Sequence, residues 1–162
     1  MQITSNNWNK KFQLHKEGEA VFHLEYGKWN YHASASFQDQ LIQMKPRKWY
    51  SSNHEILKDG EKVGWIKWKW NGRLEIHVHD EQNRLRSFEL KAKNWNINQF
   101  IMRSLDLEKD LFSLRRTSKW YQSKHQYKVE KYSMNMPGVN LEELVLYALH
   151  ASNIYHQANM GA

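Results

Sequence analysis

The sequence predicts a mainly β fold, a closed antiparallel β-barrel around a buried hydrophobic C-terminal α-helix. Three observations carry this expectation. Period-two alternation of apolar and polar side chains dominates the first 130 residues, as in strands with one buried face. Turn and bulge signals interrupt it often enough for a strongly curved sheet. After Asn140 the alternation gives way to a run that is apolar on all sides, which outside a membrane means a helix buried on all sides. A single domain over residues 1–162 is expected, with strands from about 11 to 131 and the helix from about 141 to 157.

Phe22, Leu24 and Tyr26 share one strand face, with His23 and Glu25 opposite. After Gly27, Trp29, Tyr31, Ala33, Ala35 and Phe37 point one way, and Asn30, His32, Ser34 and Ser36 the other. The two alanines leave space on the inner side. Asp59-Gly60 is a two-residue hairpin signal, because both central residues of such a turn need positive φ. It would set Lys58 opposite Glu61 and Ile56 opposite Val63. Gly64 marks a bulge, since Val63 and Trp65 differ in parity from Ile66.

The stretch "WIKWKWNGRLEIHVHD" (65–80) continues the pattern. Ile66, Trp68 and Trp70 lie on one face, and Lys67 and Lys69 on the other. Beyond Asn71-Gly72 the apolar set is Leu74, Ile76 and Val78. A strict two-residue turn would put the apolar sets on opposite faces, which a half-buried strand resists. An odd loop or bulge is therefore expected, pairing Trp70 with Leu74 and Trp68 with Ile76. On this reading Trp68 and Trp70 belong to the core, while Lys67, Lys69, His77 and His79 are exposed.

Asp80–Asn83 reads as a turn and "RLRSFELK" as a returning strand. Residues 94–110 fit a short helix or an irregular strand. "LFSLRR" and "WYQSKHQYKVEKY" are strands again, the second with Tyr121, His125, Tyr127 and Val129 on one face and Lys124 and Lys128 on the other. Asn140 followed by Glu143 resembles a capping box. The consecutive Leu144 to Leu149 surround the helix that follows. No internal repeat is read in the chain.

Composition bounds the function. With 162 residues and 14% aromatics the chain can build a real core. It contains no cysteine, so disulfides, thiolate metal sites and cysteine nucleophiles are excluded. No run of about 18 apolar residues exists, and "MQITSNNWNKKFQL" has no apolar stretch fit for a signal peptide. A cytoplasmic protein is expected, peripheral to a membrane if it meets one. The net charge of +7 favours acidic partners. It is concentrated in residues 61–139, where sixteen basic groups face nine acidic ones.

The strongest anion candidate is "RRTSKWYQSKHQYKVEK", residues 115–131, with six basic groups and one acidic. Arg115, Arg116, Lys119, Lys124 and Lys128 would hold a phosphorylated ligand or an anionic phospholipid head group. The simpler reading of the segment is a solvated outer face. His77 and His79 point the same way, as some zinc sites require, but no motif supplies a third ligand. No metal or cofactor is expected. Nucleic acid is disfavoured, because the interleaved Trp and Lys of 65–70 fall on opposite faces. His150, within the apolar helix, is expected to be a hydrogen-bonded core residue. No triad, carboxylate pair or phosphate loop is legible, so no enzymatic activity is expected.

A barrel wrapped around a hydrophobic C-terminal helix resembles the tubby C-terminal-like superfamily. The segments "ILKDGEKVGWIKWKW" and "LEIHVHDEQNRLRSFELK" are similar to the strand and hairpin succession of its LURP-one-related members. Asn83 stands where a glycine is usual in that hairpin. The resemblance spans about residues 47–157 and implies a non-enzymatic barrel that binds an anionic ligand, a lipid head group or a protein partner. The alternative is a lipocalin-like carrier of a small apolar molecule, suggested by the G-x-W of "GKWN" at Gly27–Asn30. A sugar-binding β domain rests only on the tryptophan count.

Overall fold

The computed structural model of the protein describes residues 1–6, 10–27, 32–48, 51–95, 97–119, 124–132 and 138–160. Among these, twelve strands form one closed antiparallel barrel, and a single helix follows. The strands are β1 (Gln2–Ser5), β2 (Lys11–Lys16), β3 (Glu19–Tyr26), β4 (Ala33–Phe37), β5 (Gln40–Pro46) and β6 (His54–Lys58). They continue with β7 (Glu61–Trp68), β8 (Leu74–His79), β9 (Leu85–Ala92), β10 (Gln99–Ser104), β11 (Lys109–Arg116) and β12 (Tyr127–Lys131). Each pairs with its sequence neighbours, and β1 pairs with β12 to close the ring. Part of the ambiguous 94–110 segment is therefore strand β10. β1 lies outside the expected strand range, because Ile3 is its one buried side chain and gives alternation nothing to repeat.

Since neighbouring strands run in opposite directions, their connections alternate between the two ends of the ring. Residues 17–18, 38–39, 59–60, 80–84, 105–108 and 132–140 connect at one end, the turn end. Residues 6–10, 27–32, 47–53, 69–73, 93–98 and 117–126 connect at the other, the loop end.

At the turn end, Asp59 and Gly60 have φ of 48° and 86°, the two positive values of a type I′ turn. Lys58 faces Glu61 as the sequence predicts. Ile56 faces Gly64 rather than Val63, because a bulge leaves Val63 out of register. The same irregularity skips Val21 between β2 and β3 and Leu111 between β10 and β11. Each bulge restores inward parity after a tight turn and adds twist.

At the loop end, the Lys69 amide donates to the Arg73 carbonyl at 2.8 Å, and Gly72 has φ of 79°. This is the odd loop that parity demands, but the register differs from the expected one by two residues. Trp68 faces Leu74 and Ile66 faces Ile76. The loop consumes Trp70, which leaves the core and stands 95% exposed. Lys67, Lys69, His77 and His79 are half-buried rather than exposed. The first three crowd around Glu75, at 3.7, 3.2 and 2.9 Å, and Trp65 stacks on His77.

The buried apolar side chains of the strands and Leu144, Val145, Leu146, Tyr147, Ala148, Leu149, Ala151 and Ile154 of the helix belong to one apolar cluster. The helix, α1 (Leu141–Met160), extends beyond the expected Gln157. Asn140 caps it, its Oδ1 accepting from the amides of Glu142 at 2.9 Å and Glu143 at 3.3 Å. The two carboxylates then pair with Lys16 and Lys58 on β2 and β6 at the turn end. Every residue from Glu143 to Ile154 is buried. The helix approaches β3 and β9, which lie on opposite sides of the ring. Its last turns meet the loop end, where Tyr155 packs on Trp68 and Phe100 and His156 on His125. The small Ala33 and Ala35 are buried on the inner face of β4, as alternation predicts.

Candidate functional site

The two ends of the barrel differ in chemistry. In the sequence, every loop-end connection carries one tryptophan, namely Trp8, Trp29, Trp49, Trp70, Trp95 and Trp120, each followed by Asn or Tyr. They recur at intervals of 20 to 25 residues, a spacing that the sequence reading did not single out. The signature is two residues long and sits between strands that share only alternation with one another. Trp8, Trp29, Trp49 and Trp120 lie outside the described residues, as do Tyr31 and Tyr121. Trp70 and Trp95 are 95% and 93% exposed.

Charge follows the same division. The six loop-end connections hold nine Lys or Arg and no Asp or Glu. The six turn-end connections hold seven Asp or Glu and a single basic residue, Arg84. The helix is oriented to match. Its positive N-terminal dipole lies with Glu142 and Glu143 at the acidic end, and its C-terminal end points toward the loop end.

Local backbone chemistry presents the two described tryptophans. The Asn71 Oδ1 accepts from the Arg73 amide at 3.1 Å, closing the loop beneath Trp70. In the next loop-end connection the Lys93 amide donates to the Gln99 carbonyl at 2.8 Å and the Ile97 amide to the Asn94 carbonyl at 3.1 Å, which turns Trp95 outward. Lys69 and Arg73 lean on Glu75 and Glu89 of the wall, at 3.2 and 2.9 Å. Lys93 and Lys124 are exposed and have no carboxylate partner among the described residues.

The five cations proposed from the sequence do not form one patch. Arg115 and Lys128 face each other across β11 and β12 on the outer wall, and Glu130 neutralises Arg115 at 3.1 Å. Arg116 has the opposite parity, is half-buried and donates from Nε to the Ser118 hydroxyl at 3.0 Å. Lys119 and Lys124 are exposed in the loop-end connection. The segment thus contributes to the loop end through Lys119 and Lys124, while Arg115 and Lys128 belong to the side of the barrel.

Polar groups within the core form a directed chain. Asn153 Nδ2 donates to the Tyr26 hydroxyl at 2.9 Å, and Tyr26 lies 2.7 Å from His150 Nδ1. His150 Nε2 lies 3.1 Å from His54 Nδ1. One assignment is consistent with all three links. Asn153 donates to Tyr26, Tyr26 to His150, and His150 to His54, with both imidazoles neutral. Burial depresses His54 to about 4, with a smaller contribution from His32, and pushes His150 well below the usual range. Burial likewise holds His125 and His156 at about 4, assisted by Arg116 and, for His156, by His125. His150 is the hydrogen-bonded core histidine expected from its burial.

His77 is engaged on both ring nitrogens, by Ser87 Oγ and Glu75 Oε2, each at 2.9 Å. Among the described residues no three His, Asp or Glu side chains converge as metal ligands. At the turn end, a cleft of about 510 Å³ lies between the β8–β9 turn and the helix N-terminus. Its most acidic group is already satisfied. Burial alone would raise Asp80, but the Arg84 amide and the Arg86 guanidinium outweigh it and hold the carboxyl at about 2.

Comparison with protein-family models, curated proteins and solved structures finds no match. Among the described residues, no helix is long and apolar enough to cross a membrane.

Proposed function

We propose that the chain is a non-enzymatic, tubby-like barrel, filled by its own C-terminal helix, that binds anionic ligands of the phospholipid head-group class through its loop end. The observation that carries this reading is the charge division, nine basic groups and no acidic ones in six neighbouring connections. A field of one sign on one end attracts and orients a polyanion. The reading goes with a cytoplasmic location, peripheral at a membrane, and with a protein partner only if that partner presents a comparable acidic face. The carrier alternative is weaker, because buried helix side chains take the space that an apolar ligand would need.

The test is co-sedimentation with phosphatidylcholine vesicles, with and without 20% phosphatidylserine, over a salt series. Binding that requires the anionic lipid and weakens steeply between about 0.05 and 0.5 M salt is expected, since the Debye length shortens across that range. Equal recovery with and without the anionic lipid refutes the reading. Retention of a fatty acid through purification supports the carrier instead.

A further inference from the structure

The cations account for attraction to an anionic surface but leave the tryptophans unexplained. Electrostatic binding needs no indole, and exposing two of them at more than nine-tenths of their surface is costly in water. Their placement is regular. Trp70 and Trp95 stand at the tips of neighbouring hairpins on one end of a closed ring, beside Lys69, Arg73 and Lys93. Both tips belong to the same end of the ring, so the two indoles are offered on one side of the barrel. Indole is amphipathic and settles at the level of lipid head groups, with Lys and Arg reaching the phosphates beside it.

We propose that the loop end is a bilayer-docking surface, in which Trp70 and Trp95 insert into the interface of an anionic phospholipid membrane while the neighbouring cations contact phosphate. This inference rests on the proposed head-group binding and adds insertion and orientation to it. The barrel axis then stands along the membrane normal, and the turn end, with its seven acidic groups, points away from the like-charged surface. Glu142 and Glu143, paired with Lys16 and Lys58, lie at that distal end as well.

The experiment uses Trp70→Ala, Trp95→Ala and the double variant. Both residues are exposed, so the fold is not at stake, and an unchanged melting temperature checks this. Three probes are compared, namely vesicles containing 20% phosphatidylserine, soluble inositol hexakisphosphate and a single-stranded oligouridylate. Each single change is expected to weaken vesicle binding about tenfold and the double about a hundredfold, with inositol phosphate binding unchanged. In the wild type, vesicles with brominated acyl chains should quench tryptophan emission, and the double variant should lose part of that quenching. Vesicle binding unaffected by the double change, with inositol phosphate still bound, overturns insertion and leaves head-group binding standing. Failure of the wild type to bind either vesicles or inositol phosphate removes both. Loss of oligouridylate binding in the double variant, with vesicle affinity intact, reassigns the indoles to base stacking and overturns docking.

Discussion

Gly64 pairs with Val78 across β7 and β8. A Cβ there would clash with the His77 carbonyl oxygen, so any side chain must push two paired backbones apart. Gly64→Ala is expected to lower stability by about 1–3 kcal/mol, the usual cost of overpacking, as measured by urea unfolding. A midpoint equal to wild type would show that the strands can separate without loss. The buried imidazoles set a second expectation. His54, His125 and His156 are held at about 4 and burial holds His150 well below its usual range, against about 6.5 in an unfolded chain. Between those values the unfolded state binds protons that the folded state refuses. Stability is therefore complete above pH 6.5 and lost progressively as pH falls toward 4. The melting temperature should decline over that window, and a flat profile would mean that these rings are not buried in neutral form. Parity alone placed Phe22, Leu24, Ile66, Leu74 and Ile76 correctly in the core. It failed at Trp70, because hydropathy describes what a side chain prefers and a three-residue loop decided where this one goes.

At the scale of elements, legibility depended on whether local chemistry was unambiguous. The Asp59-Gly60 turn could be read because two positive φ values leave few other choices. Gln38-Asp39 adopts the same turn at φ of 48° and 61° without a glycine, and nothing in its composition announced it. The helix start was legible for the same reason as the first turn, since an Asn followed by two Glu meets both the orphan amides and the dipole. Asn140→Ala is expected to cost about 1 kcal/mol, seen as a lower urea midpoint. Deeper in the helix the cost should rise. Leu146→Ala and Leu149→Ala, both fully buried, should each lose about 2–5 kcal/mol, a large part of the roughly 5–15 kcal/mol available to a domain. Deletion of residues 141–162 should abolish cooperative melting. A truncated chain that still melted cooperatively would show the helix to be an appendage. The proposed cation set was read as one segment because its residues adjoin in sequence. Strand alternation then sent Arg115 and Arg116 to opposite sides of the wall.

At the scale of the molecule, the charge division could not be seen by cutting the chain into consecutive blocks, because basic and acidic connections interleave every hairpin. Only the ring collects alternate connections onto the same end. The ring has a second consequence, one that concerns time. Its seam joins β1 (Gln2–Ser5) to β12 (Tyr127–Lys131), which is made more than a hundred residues later. The helix that completes the core comes later still. At about 5–20 residues per second, the earliest strands wait on the order of 10 s for the partners that cover them. Until then Phe12, Leu14, Phe22 and Leu24 have no finished interior to enter. Until β12 is made the barrel is therefore an open, sticky ribbon, and its ring closes late in the synthesis of this segment rather than strand by strand. Nascent chains stalled before residue 127 should be captured by chaperones and cut by proteases, whereas the finished chain should escape both.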